Sequence, residues 1–106
     1  MKSAKSSGRQ RKRKLLLVRR VVGKSMMPTL KPGSVILASG VYSQLKVEDV
    51  VVVSHRGLDK VKRIQHYDNG RIYLTGDNAA YSTDSSSFGW LDENTVLGKV
   101  IWPINL

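Results

Sequence analysis

Two side chains of this 106-residue chain could act together as a nucleophile and a base. Ser25 stands in a short polar turn within the segment Gly23–Leu30, directly after an aliphatic run. A serine hydroxyl stays protonated at neutral pH, so it attacks a carbonyl only when a neighbouring base accepts its proton. Lys62 can be that base if its amine is neutral, and burial favours the neutral form of a lysine. Together they would catalyse acyl transfer.

The immediate neighbours of Lys62 are compatible with this role but do not require it. Val61, Arg63 and Ile64 surround it without a carboxylate, and strand alternation places Lys62 and Ile64 on one face. A solvent-exposed strand lysine is the alternative interpretation. His55 and His66 offer a different base, which an acid would have to orient. Both histidines are predicted to be surface residues at strand ends, which disfavours a Ser-His-Asp triad.

The net charge of +10 is concentrated at the N-terminus. Residues 1–24 carry ten positive and no negative side chains, whereas the remaining 82 residues carry eight of each. Residues 1–14 have almost nothing apolar to bury, so we predict a disordered basic arm before a single domain over residues 15–106. The arm is either a solvated tail or a contact for an anionic membrane. Aromatic residues are not interleaved with its charges, so no specific nucleic-acid partner is expected.

Several classes of protein are disfavoured by what the sequence lacks. The apolar run Leu15–Val18 is shorter than the core of a signal peptide or a membrane span, so we expect a soluble, cytoplasmic protein, or one peripheral at a membrane. Without cysteine there is no disulfide and no thiolate metal site. The two histidines lack the spacing of a ligand set, so neither a metal nor a cofactor is expected.

The apolar pattern predicts an all-β fold. No segment sustains a helical period, and the four valines Val50–Val53 mark a buried strand. Turns are predicted at Arg56–Asp59 and Asp68–Gly70, a short helical turn at Leu91–Asn94 and a long polar loop at Gly76–Gly89. The predicted strands are Leu15–Val22, Ser34–Ser39, Asp49–His55, Lys60–His66, Arg71–Thr75 and Thr95–Trp102. We therefore expect a compact, curled antiparallel sheet or barrel.

Five motifs, in order over about residues 21–103, resemble those of type I signal peptidases, family S26. They are Gly23-Lys24-Ser25-Met26-Met27-Pro28-Thr29-Leu30, Asp49-Val50-Val51-Val52, Val61-Lys62-Arg63-Ile64, Gly76-Asp77-Asn78 with Ser82-Thr83-Asp84-Ser85, and Leu97-Gly98-Lys99-Val100. The resemblance implies a signal peptidase/LexA-like β fold. It also implies that Ser25 is the nucleophile, that Lys62 is the general base and that Ser82 holds the lysine amine. Asp77, Asn78 and Asp84 would shape the loop beside them, and the backbone N–H of Ser25 would stabilise the oxyanion.

The chain departs from that family in four places. Glu48 replaces the glycine of the Gly-Asp-Val-Val motif, Ser86 replaces a frequent arginine, and Gly23 offers no oxyanion hydroxyl. We also expect the protein to lack the family's membrane anchor and larger second domain, because neither is recognisable in these residues. This last departure favours the short soluble branch that matures nickel-type superoxide dismutase, so the expected partner is a precursor protein, the pro-form of that dismutase.

Three other functions are compatible with the sequence. A general signal peptidase-like protease is the nearest, held at the membrane by the basic arm or a partner. A LexA-like, self-cleaving repressor-type peptidase is less favoured, because residues 1–24 contain neither Ala-Gly nor a helix-turn-helix pattern. A non-catalytic binding module would not depend on Ser25.

Overall fold

The computed structural model describes residues 14–78, 89–104 and 106. These residues form one seven-stranded sheet in the order β1-β2-β7-β3-β4-β5-β6, in which every pairing is antiparallel. The strands are β1 Leu17–Arg20, β2 Val35–Ser39, β3 Val50–His55, β4 Leu58–Asp68, β5 Arg71–Thr75, β6 Leu91–Asp92 and β7 Val96–Trp102, with a 3₁₀ helix at Glu93–Thr95. The all-β antiparallel class predicted from the sequence is confirmed. The basic arm up to residue 13 and loop residues 79–88 lie outside the described residues.

Strand β3 is the centre of the hydrophobic core. Its four valines are all buried because the curled sheet covers both faces of the strand. Val50 and Val52 belong to one cluster with Met26, Leu30 and Ile36, among others. Val51 and Val53 belong to a second cluster with Ile64, Ile72 and Leu74. A run of β-branched residues is suited to this position, because such side chains pack well on a pleated surface and lose little rotamer freedom there.

Two tight hairpins fix the register of β3, β4 and β5. Asn69 and Gly70 both have positive φ, 53° and 82°, as a two-residue hairpin turn requires. The turn predicted at Asp68–Gly70 is confirmed. The turn predicted at Arg56–Asp59 is confirmed in place but is shorter. Arg56 and Gly57 alone form it, again with positive φ, because Leu58 already pairs with His55.

The other boundaries differ from the prediction by a few residues. The first strand is shorter than the predicted Leu15–Val22, and β4 is longer, with eleven residues. The short helical turn predicted at Leu91–Asn94 is present as the 3₁₀ helix but begins two residues later, at Glu93, because Leu91 and Asp92 form the short strand β6. The Asp92 side chain accepts a hydrogen bond from the backbone N–H of Asn94 and so caps that helix.

Candidate active site

A cleft of about 620 Å³ lies between two strand edges that are far apart in the sequence. β1 is the terminal strand of the sheet, and within the described residues it pairs only with β2. The first part of β4, residues 58–62, pairs only with β3, because the described pairing with β5 begins at Arg63. The lining residues are Arg19, Arg20, Val21, Val22, Gly23, Lys24, Ser25, Val52, Leu58, Asp59, Lys60, Val61 and Lys62. Ser25 and Lys62 therefore line the same cleft.

Ser25 lies in a turn that is anchored on both sides. Gly23, with φ of 81°, directs the chain out of β1, and the backbone N–H of Val21 donates to the Ser34 carbonyl at 2.8 Å. Met26, only 1% exposed, fixes the other side of the turn in the core. The backbone N–H of Asn78 donates to the Ser25 carbonyl oxygen at 2.7 Å. Ser25 is thus held in a fixed turn at the edge of the cleft.

Lys62 is 4% exposed, the one charged or polar residue that is buried among the described residues. Its partner across the β3–β4 ladder is Val51, which is fully buried. The alternative of a solvent-exposed strand lysine is therefore wrong. Lysines are seldom buried, because removing an ammonium from water costs several kcal/mol, and the neutral amine is favoured instead.

Asp77 connects the serine turn to the lysine strand. Its carboxylate accepts two hydrogen bonds from Arg63, both at 2.8 Å, and a third from the Thr29 hydroxyl. Arg63 also donates to the carbonyls of Glu48 and Leu106, at 2.9 and 3.0 Å. The hydrogen bonds from Arg63 hold the pKa of Asp77 below its usual value, and the same bonds raise the pKa of Arg63. Asp77 is therefore ionised at neutral pH.

The contacts of Asp77 join the turn that carries Ser25 to the strand that carries Lys62. Thr29 is four residues after Ser25, and Arg63 adjoins Lys62, so one carboxylate holds both elements in fixed relation. Asp77 and Asn78 were predicted to shape this loop, and the structure places both in contact with the serine turn or its neighbours. Sequence reasoning missed Arg63 and Thr29 as the hydrogen-bond partners of Asp77. The signal was their position within the two motifs that carry Lys62 and Ser25.

The remaining candidate residues are not brought to the cleft by the described part of the chain. His55 is the last residue of β3, and burial, with Lys60 and Arg56 nearby, lowers its pKa. His66 contacts the rings of Tyr73 and Trp90, with ring centroids 5.6 and 6.2 Å away. Neither histidine lines the cleft, so the described residues assemble no Ser-His-Asp triad.

Two predicted site residues, Ser82 and Asp84, lie outside the described residues, as does Ser86. The hydrogen bond from Ser82 to Lys62 thus stays a prediction. Across residues 14–78 and 89–104, no three histidine, aspartate or glutamate side chains are grouped as metal ligands. That same part of the chain contains no helix long and apolar enough to cross a membrane.

The all-β antiparallel fold agrees with the result of a comparison with protein families. The chain matches the model of the Peptidase S24-like family over residues 4–101 and belongs to that family. No curated protein matches the chain.

Proposed function

We propose that the chain is a serine endopeptidase with a Ser25–Lys62 dyad, which removes an N-terminal leader from a precursor protein. One observation carries the proposal: a lysine that is 4% exposed lines the same cleft as a serine, in a chain of the Peptidase S24-like family. The motifs that resemble those of type I signal peptidases also imply Ser25 as the nucleophile and Lys62 as the base.

The reaction would proceed in two steps. Lys62 Nζ accepts the proton of Ser25 Oγ as the oxygen attacks the scissile carbonyl carbon. The backbone N–H of Ser25 stabilises the oxyanion. The C–N bond then breaks, and Lys62 returns the proton to the leaving amine. In the second step Lys62 deprotonates a water molecule, which attacks the ester carbon. The ester C–O bond then breaks, Lys62 returns the proton to Ser25 Oγ, and the new carboxyl terminus is released. Both steps require a neutral amine, which burial of Lys62 favours.

The two strand edges suggest how the substrate binds. The cleft lies between β1, which pairs with β2, and residues 58–62 of β4, which pair with β3. An extended peptide segment can bind between these two walls as an added strand, with its main chain hydrogen-bonded to the protein. This mode presents an internal peptide bond to Ser25, as an endopeptidase requires.

We further propose that the substrate is the precursor of a particular metalloenzyme. The resemblance to the soluble branch of the signal peptidase-like enzymes favours the precursor of nickel-type superoxide dismutase. In that case the nickel belongs to the mature substrate and not to this chain. A general signal peptidase-like protease and a self-cleaving repressor-type peptidase are the alternatives, and the experiment below separates the three.

The chain is co-expressed with the dismutase precursor or with a precursor that carries a secretory signal peptide, and the products are analysed by mass spectrometry. We expect leader removal from the first precursor only. Ser25→Ala and Lys62→Arg should both abolish cleavage, the second because a guanidinium cannot act as a base at usable pH. His55→Gln, outside the cleft, is the matched control and should retain activity. Circular dichroism checks that each variant is folded.

The pH profile tests the base directly. The cleavage rate should rise towards alkaline pH as Lys62 loses its proton. A flat profile between about pH 6 and 10, or an active Lys62→Arg variant, contradicts lysine as the base. Loss of mass from the purified chain alone, absent in Ser25→Ala, would instead indicate self-cleavage.

A further inference from the structure

We propose that the ion pair between Arg19 and Asp59 forms a subsite of the cleft that selects an uncharged polar side chain of the substrate. The inference rests on the proposed function and specifies its substrate class. Asp59 Oδ2 lies 3.0 Å from Arg19 Nε, and both residues line the cleft. Arg19 belongs to the β1 wall and Asp59 to the β4 wall, so their ion pair crosses the space between the two walls.

An apolar surface lies next to this ion pair. Val21, Val52 and Val61 line the cleft and belong to, or pack against, one hydrophobic cluster, and we call these three residues the valine floor. Val61 is the register partner of Val52 across the β3–β4 ladder. Strand alternation puts Arg19 on the same face as Val21, and Asp59 on the same face as Val61. The ion pair therefore extends the valine floor at one end.

Both walls of the cleft run from the ion pair towards the candidate dyad. On the β1 wall the chain passes from Arg19 through Val21 to Ser25, and on the β4 wall it passes from Asp59 through the valine floor to Lys62. The ion pair precedes the valine floor by two residues on each wall. Two residues of a strand span about 6.6 Å. The ion pair thus lies one side-chain repeat beyond the valine floor, on the side away from the dyad.

An extended peptide bound between the walls has the same repeat. Its side chains alternate between two faces, so every second side chain points towards the valine floor or its extension. When one of these side chains lies on the valine floor, the next one away from the dyad reaches the ion pair. Two substrate side chains that are two residues apart therefore contact two different surfaces, whichever way the peptide runs along the walls.

The ion pair favours an uncharged polar side chain for an electrostatic reason. A glutamate approaches Asp59 as well as Arg19, and a lysine meets the opposite combination, so attraction and repulsion largely offset each other. A large apolar side chain would remove the ion pair from water, which costs free energy. An amide or a hydroxyl both donates and accepts hydrogen bonds, so it can bind either partner. The two side chains are 32% and 40% exposed, so their polar groups are accessible to such a ligand.

The test uses the full chain and a library of internally quenched peptides. Each position of the best cleaved peptide near its scissile bond is replaced in turn by glutamate, glutamine or lysine. At one position the wild type should cleave the glutamine peptide faster than the other two. Asp59→Asn should shift kcat/KM at that position towards glutamate, and Arg19→Gln towards lysine, each by about three- to fivefold, as the loss of an exposed ion-pair partner predicts. Both shifts should shrink in 0.5 M salt, because exposed charges are screened.

Two exposed residues outside the cleft provide matched controls. Asp68→Asn removes one negative charge and Lys46→Gln one positive charge, and both variants should keep the wild-type preference at that position. The reversed pair Arg19→Asp/Asp59→Arg should also retain the preference for glutamine, because it still presents one charge of each sign. Circular dichroism checks that every variant is folded.

Opposite shifts of the two single variants at the same position support the inference. Shifts in the same direction, shifts at different positions or no shift at all would overturn it, and so would a wild type that prefers glutamate or lysine there. Each of these results leaves the protease assignment intact. If the wild type cleaves no peptide and no precursor, the proposed function fails, and the inference fails with it.

Discussion

Replacing Asp77 by asparagine should weaken both the fold and the alignment of the candidate dyad. An asparagine side chain has nearly the same shape, but it carries no charge and presents only one acceptor oxygen to Arg63. The bidentate ion pair is lost, and the guanidinium is left without its main counter-charge. The link from the Thr29 turn to the strand of Lys62 is weakened at the same time.

The expected cost follows from how far the pair is buried. The Arg63 and Asp77 side chains are 14% and 16% exposed. Exposed ion pairs contribute up to about 1 kcal/mol, whereas breaking a fully buried pair costs about 3–5 kcal/mol. This intermediate burial predicts a loss of about 2–3 kcal/mol, or about 10–20 °C in Tm for a domain of this size. Because small displacements of reacting groups are costly, kcat should fall by about 10- to 100-fold.

Urea unfolding of the wild type and Asp77→Asn measures the loss at a series of pH values. The folded state lowers the pKa of Asp77, so its stabilising contribution is complete above the unfolded pKa of about 3.9. That contribution disappears as pH falls through the lower folded pKa. The difference between the two proteins should therefore be constant near pH 7 and shrink below about pH 4.

Asp59→Asn is the matched control for the unfolding experiment. It removes the ion pair with Arg19, whose side chains are 32% and 40% exposed, and should cost less than about 1 kcal/mol. Equal losses for the two variants would refute the reasoning from burial. A loss for Asp77→Asn that persists unchanged at pH 2 would refute the role assigned to its ionised carboxylate.

Two further predictions concern the backbone and the basic arm. Glu48 has a φ of 83°, a backbone conformation that costs a residue with a side chain about 1–2 kcal/mol. Glu48→Gly should therefore raise the Tm by a few degrees in calorimetry, and a lower Tm would contradict this prediction. Val18, Leu37 and Trp102 are paired in a row across β1, β2 and β7, and Val18 and Trp102 are 55% and 52% exposed. We expect this row and the arm to bind vesicles rich in phosphatidylserine in sedimentation assays. Glutamine at Arg9, Arg11, Lys12 and Arg13 should weaken that binding at least about tenfold, whereas unchanged binding would exclude the arm.

The strands could be predicted because their signals are local. Four consecutive valines, an Asn-Gly turn and a Pro-Gly after Leu30 each restrict the backbone within a few residues. Boundaries were less accurate where pairing decided them: β4 begins at Leu58 because that residue pairs with His55, which composition does not indicate. Residue type also failed to predict the backbone conformation at Glu48. Its backbone conformation suits glycine, as the resemblance suggested, yet nothing in its own identity indicates a positive φ.

The sequence by itself determined the all-β class, the order of the strands along the chain, the uneven charge and the two residues worth testing as nucleophile and base. Only the tertiary structure decided that Lys62 is buried, that β1 and β4 form two walls of one cleft, and that Asp77 holds Arg63 and Thr29. Arg19 and Asp59 are forty residues apart in the chain and 3.0 Å apart in space. Such contacts depend on how the curled sheet brings distant strands together, and solvent exclusion between those strands determines which lysine is buried.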